Sequence, residues 1–195
     1  MTALPIVTRF TEEEYLGMEN ASRERHEYVD GYIVAMAGAS LRHADVCSNL
    51  AAALGRLVDG GPCRVAIADL RVHVASSGRY VYPDLVVACG ERVMRKLPEG
   101  AMALTNPTAV IEVLSRSTRD YDLGTKLAAY KTIPSLQDIV LVDPVALAVE
   151  VWTRSARGWS SERTTTGEMA LASAGGSVAL DAIFRDLAPV DPALD

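Results

Sequence analysis

Two carboxylates interrupt apolar segments of the sequence, and their positions suggest the chemistry that the chain could carry out. The run from Val110 to Ser115 has β-branched and leucine residues on both faces, which is typical of a buried strand, yet Glu112 lies in its middle. A carboxylate inside a dry strand is costly unless it is paired. Glu112 is therefore a metal ligand, a protonated catalytic acid, or a side chain that points off an exposed sheet edge.

A second apolar run, from Tyr80 to Ala88, contains Pro83 and Asp84 where a central strand should have neither. The proline indicates a strand start, an edge or a bulge, and it places Asp84 beside the strands rather than in solvent. Carboxylates brought together repel unless a proton or a divalent cation lies between them. Oxygen ligands of this kind suit Mg²⁺ or Mn²⁺, so Asp84 and Glu112 form a candidate site for such an ion.

Length and composition predict one domain over residues 1–195, since 49% of the residues are hydrophobic and 23% are charged. No apolar stretch reaches the ~18 residues that cross a bilayer, and Met1 to Arg9 lacks the pattern of a signal peptide. Cys47, Cys63 and Cys89 fit neither a CxxC metal pattern nor a disulfide framework. We therefore expect a cytoplasmic protein with reduced thiols and no membrane partner.

The net charge of −6 bears on possible partners. It provides no general attraction to nucleic acid, because most of the affinity of nucleic-acid-binding proteins comes from neutralising phosphates. A protein that acts on DNA with this charge would need a local basic patch or a bound metal ion.

The N-terminal half of the chain predicts two helices and several strands. Thr11 to Glu14 is a capping box that begins a short helix through Met18. Asp30-Gly31 is the turn of a hairpin from His26 to Ala37, and an amphipathic helix runs from Leu41 to about Val58. Cys63 to Ala75 is strand-like and forms a second hairpin with the strand that contains Asp84.

The C-terminal half predicts a surface loop from Gly90 to Pro107, followed by the Glu112 strand and a helix over 119–131. The apolar stripe of this helix is formed by Leu123, Leu127 and Tyr130, and Lys126 lies off the stripe. Two strands follow, from Asp138 to Asp143 and from Ala146 to Thr153, and a further strand and a short terminal helix complete the domain. We expect an α/β fold in which one mixed, curved sheet holds both carboxylate strands and is flanked by helices.

Three other polar residues have alternative interpretations. Glu27, three residues before the hairpin turn, is either an exposed strand residue or part of the carboxylate site. His43, in the first turn of its helix, is either structural or able to bond a carboxylate or phosphate. Lys126 is either a surface i,i+4 partner of Asp122 or a side chain that reaches back toward Glu112.

The order of these features resembles the PD-(D/E)XK nuclease superfamily, in which a Pro-Asp pair precedes a strand glutamate, here about 28 residues later, and a lysine follows. The resemblance is closest to the Uma-type restriction endonucleases and extends over about residues 10–185. It rests on Glu27 before Asp30-Gly31, Ala39-Ser40 with His43, Pro83 to Val87, Glu112 to Arg119, Lys126 with Tyr130, and Leu141 to Pro144.

The resemblance implies a restriction-endonuclease-like fold in which Asp84 and Glu112 bind Mg²⁺, with Mn²⁺ able to substitute. It implies that Lys126 is the catalytic lysine, that Glu27 faces the same site and that His43 occupies a recurrent family position. Leu114 stands where the superfamily pattern has its lysine, so the resemblance implies that this lysine has moved to the next helix as Lys126.

Two functions follow as expectations. The first is a Mg²⁺-dependent endonuclease that hydrolyses phosphodiester bonds in DNA as a homodimer, since closed two-fold dimers supply two copies of a site. The second is a catalytically inactive nuclease fold that serves as a binding or dimerisation module.

Overall fold

The computed structural model of the chain describes residues 9–36 and 38–195; residues 1–8 and Ala37, the last residue of the predicted hairpin, lie outside the described part. Its helices are α1 (Glu12–Ala21), α2 (Leu41–Leu57), α3 (Arg119–Tyr121), α4 (Leu127–Tyr130) and α5 (Leu180–Ile183), with a π-helical segment (Asp122–Lys126) between α3 and α4. None of the helices in the described ranges is long and apolar enough to cross a membrane.

The strands form two six-stranded sheets and one two-stranded sheet. They are β1 (His26–Val29), β2 (Tyr32–Ala35), β3 (Cys63–Ile67), β4 (Val72–Val74), β5 (Arg79–Val81), β6 (Leu85–Cys89), β7 (Met94–Lys96), β8 (Met102–Leu104), β9 (Ala109–Val113), β10 (Asp138–Asp143), β11 (Ala148–Ser155), β12 (Gly158–Thr164), β13 (Glu168–Leu171) and β14 (Gly176–Ala179).

The central sheet has the strand order β12-β11-β10-β9-β6-β3 and contains the predicted Glu112 strand, β9, near its middle. β9 pairs parallel with β10 and antiparallel with β6, so the sheet is mixed as predicted. Every residue of β9 and β10 is buried. Helix α2 packs on one face of the central sheet, whereas α4 and strands β4, β5 and β8 of the second sheet pack on the other. Alternate residues face opposite sides: Ile111 joins the core beneath α2, whereas Val110 packs with α4.

The second large sheet, with the order β2-β1-β5-β4-β8-β7, carries Glu27 on β1. The predicted hairpin turn is confirmed, since Asp30 and Gly31 have φ of 53° and 89°, the positive values that a tight two-residue turn requires. Glu27 is buried, so its interpretation as an exposed strand residue is wrong.

The chain passes from this sheet to the central one at Asp84, and here the structure corrects the prediction of one strand from Tyr80 to Ala88. β5 ends at Val81 in the second sheet and β6 begins at Leu85 in the central sheet. Pro83 cannot donate a ladder hydrogen bond, which breaks the pairing between them. The predicted strand from Cys63 to Ala75 is likewise divided, into β3 of the central sheet and β4 of the second.

Two further expectations are wrong. The predicted loop from Gly90 to Pro107 contains the hairpin β7–β8, whose three-residue strands are too short to show an alternating pattern. Cys63 and Cys89 are not reduced thiols but form a disulfide, because the antiparallel register of β3 and β6 places them opposite each other. Cys47 is the free thiol.

Candidate active site

Lys126 lies at the centre of a buried charge cluster, to which separate parts of the chain contribute. Its Nζ lies 2.9 Å from Glu112 Oε1 of β9 and 3.0 Å from Glu27 Oε1 of β1. The Asp122 carboxylate, one turn earlier in the helical segment, lies 3.7 Å away. Lys126 is only 5% exposed, so the interpretation as a surface pair with Asp122 is wrong, although the pair itself exists.

The π-helical segment explains why the lysine is buried despite lying off the predicted apolar stripe. A π-helical turn holds more residues than an α-helical turn and therefore rotates the side chains around it. Leu123, predicted to face the core, is 38% exposed, whereas Lys126, Leu127 and Tyr130 are all buried. Lys126 and Tyr130, four residues apart, then point to the same side.

Hydrogen bonds hold the two glutamates in fixed positions. The Tyr130 hydroxyl donates to Glu112 Oε1 at 2.5 Å, and the Tyr121 hydroxyl donates to Glu27 Oε2 at 2.7 Å. The backbone N–H of Tyr82 donates to Glu27 Oε1 at 2.9 Å. Both carboxylates therefore have geometries set by groups outside their own strands.

Asp84 lies beside the end of β9, at the point where the chain changes sheets. Its Oδ2 accepts a hydrogen bond from the Val113 N–H at 2.7 Å and lies 3.4 Å from His43 Nε2. The other ring nitrogen, Nδ1, lies 3.6 Å from Cys47 Sγ. His43 therefore contacts a carboxylate near the start of its helix, one of the two alternatives that the sequence left open.

All five predicted site residues line one cavity of about 840 Å³. No described residue donates a hydrogen bond to the second carboxylate oxygen of Asp84 (Oδ1) or of Glu112 (Oε2). The cavity holds four carboxylates against one lysine and one histidine: Glu27, Asp84, Glu112 and Asp122 face Lys126 and His43. This oxygen-rich, negatively charged donor set fits a hard divalent cation such as Mg²⁺.

Burial and charge perturb the titration of the cluster. Burial raises the pKa of Glu112 well above its usual value, Lys126 lowers it, and the nearby carboxylates Asp122 and Asp84 raise it further. Burial alone would lower the pKa of Lys126, but the surrounding carboxylates outweigh burial and hold it well above its usual value. Lys126 therefore stays protonated near neutral pH and does not act as a general base.

His43 is also held in its charged form. Burial lowers its pKa, but the hydrogen bonds to Asp84 and Cys47 outweigh that effect and raise the pKa to about 10. An imidazolium beside Asp84 therefore adds a second positive charge to the cavity.

Sequence reasoning did not assign four residues that the structure brings to this site: Cys47, Tyr121, Asp122 and Tyr130. Cys47 lies four residues from His43, and Asp122 and Tyr130 each lie four residues from Lys126. This helical spacing already placed them on the same face as a predicted site residue, so the sequence could have indicated them. Tyr121 had no such signal, because its contact with Glu27 joins segments that are 94 residues apart.

Comparison with known proteins places the chain in a family. The model of the family Uma2, described as "Putative restriction endonuclease", matches residues 12–181. Two Synechocystis proteins described as uncharacterized are each 35% identical to this chain: slr1290 over 182 residues (92% of this chain and 94% of that protein) and sll1609 over 140 residues (72% and 78%).

A solved structure supports the fold. The crystal structure of a protein described as a putative nuclease belonging to DUF820, from Anabaena variabilis, matches with a TM-score of 0.71. The match covers 88% of this chain and 95% of that one, at 19% sequence identity, and therefore shows a shared fold. The chain belongs to the Uma2 family and has a restriction-endonuclease-like α/β fold.

Proposed function

We propose that the protein is a Mg²⁺-dependent endonuclease that hydrolyses phosphodiester bonds in DNA. One observation carries the proposal: Asp84 and Glu112 each have a carboxylate oxygen without a hydrogen-bond donor among the described residues, and both line a cavity that also contains a fixed lysine. Family membership and fold support nuclease chemistry, and the donor set supports the choice of ion.

In this proposal Asp84 and Glu112 hold the ion. A bound Mg²⁺ supplies Lewis acidity toward a phosphate oxygen and lowers the pKa of a water molecule. Lys126 presents a permanent positive charge to the phosphate as negative charge builds up on it. Glu27 holds the Lys126 ammonium in place, and the Tyr130 hydroxyl orients Glu112.

His43 contacts Asp84, the second carboxylate that would hold the ion. Its imidazolium contacts Asp84 Oδ2 and leaves Oδ1 for the ion. Because His43 is positively charged and lines the cavity, it also offsets part of the repulsion between an acidic site and a polyanionic substrate.

The inactive binding module stays as the second candidate, and the net charge of −6 favours it because that charge repels DNA at long range. In such a module the carboxylates would remain buried without turning over a substrate. Cation binding and cleavage therefore have to be measured separately.

The test combines calorimetric Mn²⁺ binding with single-turnover cleavage of plasmid DNA at saturating Mg²⁺. Asp84→Asn and Glu112→Gln should each abolish ion binding and lower cleavage about a hundredfold or more, since each removes a charge at nearly constant shape. Asp59→Asn, which alters an exposed carboxylate at the end of α2, is the matched control and should behave as wild type.

Unchanged Mn²⁺ binding in both site variants would refute the metal assignment. Ion binding without cleavage of DNA or RNA by the wild-type protein would leave the binding module as the function. Cleavage of RNA alone would replace DNA as the substrate.

We further propose that the active form is a homodimer, with contacts from the segment after Asp138. Within that segment β10 is buried, whereas β12 is an edge strand of the central sheet. The unpaired backbone groups of an edge strand support β12 as the contact strand. Light scattering at micromolar protein should give twice the mass of 20.9 kDa. A monomeric mass would contradict the proposal.

A further inference from the structure

Helix α2 brings two metal-binding side chains to the wall of the cavity. His43 and Cys47 lie four residues apart, so they share one face of the helix, and both line the cavity next to Asp84. Cys47 Sγ, one ring nitrogen of His43 and one carboxylate oxygen of Asp84 all lie within 4.8 Å of one another. The proposed nuclease chemistry gives no role to Cys47 and none to the three residues acting together.

The spacing of these atoms suits a tetrahedral ion. Zinc–sulfur bonds of about 2.3 Å and zinc–nitrogen or zinc–oxygen bonds of about 2.0–2.2 Å, at tetrahedral angles, separate neighbouring ligand atoms by about 3.3–3.7 Å. Cys47 Sγ lies 3.6 Å from His43 Nδ1, and His43 Nε2 lies 3.4 Å from Asp84 Oδ2. An ion takes only one ring nitrogen, and with a single nitrogen the three ligand atoms lie within 4.8 Å of one another. A side-chain rotation of His43 or Asp84 would then have to bring the third ligand to bonding distance.

We propose that His43, Cys47 and Asp84 form a site for a thiophilic divalent cation such as Zn²⁺, next to the Mg²⁺ site and sharing Asp84 with it. A thiolate and an imidazole select Zn²⁺ or Co²⁺ over Mg²⁺, which prefers oxygen ligands alone. When the ion binds, the Cys47 thiol and the His43 imidazolium each lose one proton to solvent, so sulfur binds as thiolate and the ring binds as neutral imidazole. With three protein ligands, the ion would take its fourth ligand from water in the cavity that all three residues line.

Sharing of Asp84 has a functional consequence that rests on the proposed nuclease activity. An ion bound by Cys47 and His43 would also sit on the Asp84 carboxylate, where its two positive charges repel a Mg²⁺ ion on the other oxygen and weaken Mg²⁺ binding. Zn²⁺ therefore inhibits Mg²⁺-dependent cleavage, and the inhibition depends on Cys47. Ion binding itself does not depend on any nuclease activity.

The binding test uses Co²⁺ as a spectroscopic substitute for Zn²⁺ in the full-length protein with its disulfide intact. Wild type should develop a thiolate-to-cobalt charge-transfer band in the near ultraviolet, which Zn²⁺ then abolishes. Ser48→Ala, at the next residue of the same helix and in the same cavity, is the matched control and should show the same band. Cys47→Ala should lack it, and its Zn²⁺ affinity from competition should fall at least about tenfold.

Absence of the band in wild type, or its persistence in Cys47→Ala, would overturn the assignment. Circular dichroism shows whether each variant is folded. A second measurement, of thiol modification, uses the wild-type protein alone. Modification of Cys47 by a thiol reagent should slow at least tenfold when Zn²⁺ is present, and an unchanged rate would also overturn the assignment.

The cleavage assay then tests the sharing of Asp84. Zn²⁺ inhibition, measured for each protein against its own zinc-free rate, should be weaker in Cys47→Ala than in wild type and Ser48→Ala. Equal inhibition in all three would refute the shared site. If the wild-type protein does not cleave at all, the proposed function fails, whereas the cobalt band still decides the cation site.

Discussion

Two buried charge clusters lie close together in this protein, and they differ in how completely their carboxylates are satisfied. The Lys126 cluster consists of Lys126 with Glu27, Glu112 and Asp122. The Glu19 cluster consists of Glu19 with Arg71, Tyr82 and His26. Tyr82 links them, since its N–H donates to Glu27 and its hydroxyl donates to Glu19.

Every carboxylate oxygen in the Glu19 cluster has a protein partner. Glu19 Oε1 accepts from the Tyr82 hydroxyl and lies 3.8 Å from Arg71, while Oε2 accepts from the His26 backbone at 3.0 Å. One carboxylate therefore faces one guanidinium. The cluster joins α1 to the second sheet. Because both oxygens of Glu19 have protein partners, the cluster needs no added ion.

The Lys126 cluster has three carboxylates around one ammonium and leaves Glu112 Oε2 without a donor from the described residues. Both clusters are buried, so burial of charge does not distinguish a site from a structural ion pair. The distinguishing property is the excess of negative charge facing a cavity, because such an excess is stable only with a proton or a cation.

The largest expected effect comes from removing the central cation. Lys126→Met leaves three buried carboxylates without their shared partner and should lower the free energy of unfolding by about 3–5 kcal/mol. Urea denaturation of the metal-free protein measures this, with Lys96→Met, an exposed lysine on β7, as the control. A decrease in the free energy of unfolding below about 0.5 kcal/mol is typical of an exposed ion pair and would contradict the burial of the Lys126 cluster.

A smaller effect is expected at the Glu19 cluster. Glu19→Gln removes the charge that faces Arg71 and misplaces one donor, so it should destabilise the protein by about 1–3 kcal/mol. Calorimetric Mn²⁺ binding should be unchanged under conditions where the variant is folded. Loss of Mn²⁺ binding would show that the two clusters act as one site through Tyr82.

The smallest effect concerns the ion pair between Asp143, at the end of β10, and Arg119, at the start of α3. Burial raises the pKa of Asp143, but the Ala146 N–H and Arg119 outweigh burial and lower the pKa below its usual 3.8. A carboxyl with a lowered pKa in the folded state contributes stability above its unfolded pKa, and the contribution is lost as pH falls through the folded value.

Asp143→Asn should therefore cost about 1 kcal/mol near neutral pH, and the difference from wild type should disappear in acid, below the lowered pKa. Denaturation series across pH 2–7 provide the check. A difference that stays constant with pH would show that the amide disturbs packing rather than charge.

Elements with strong local signals could be predicted from the amino-acid sequence alone. The capping box at Thr11, the Asp30-Gly31 turn, helix α2 and the buried strand around Glu112 all appear where predicted. Their patterns lie within one segment each, so they are visible without knowledge of the partners. The motif order also identified the family and the five residues that the structure brings to one cavity, although their catalytic and metal-binding roles remain predictions.

The sheet that each strand joins and the partners of each charged side chain depend on contacts between distant segments and could not be predicted from local sequence. Strand pairing determines the Cys63–Cys89 disulfide and the change of sheet at Asp84, because a local pattern does not specify a partner strand that lies far away in the sequence. Burial of Lys126 depends on the π-helical segment and on carboxylates from β1 and β9. The excess negative charge around it exists only when these distant segments pack together, since each carboxylate alone has an ordinary structural interpretation.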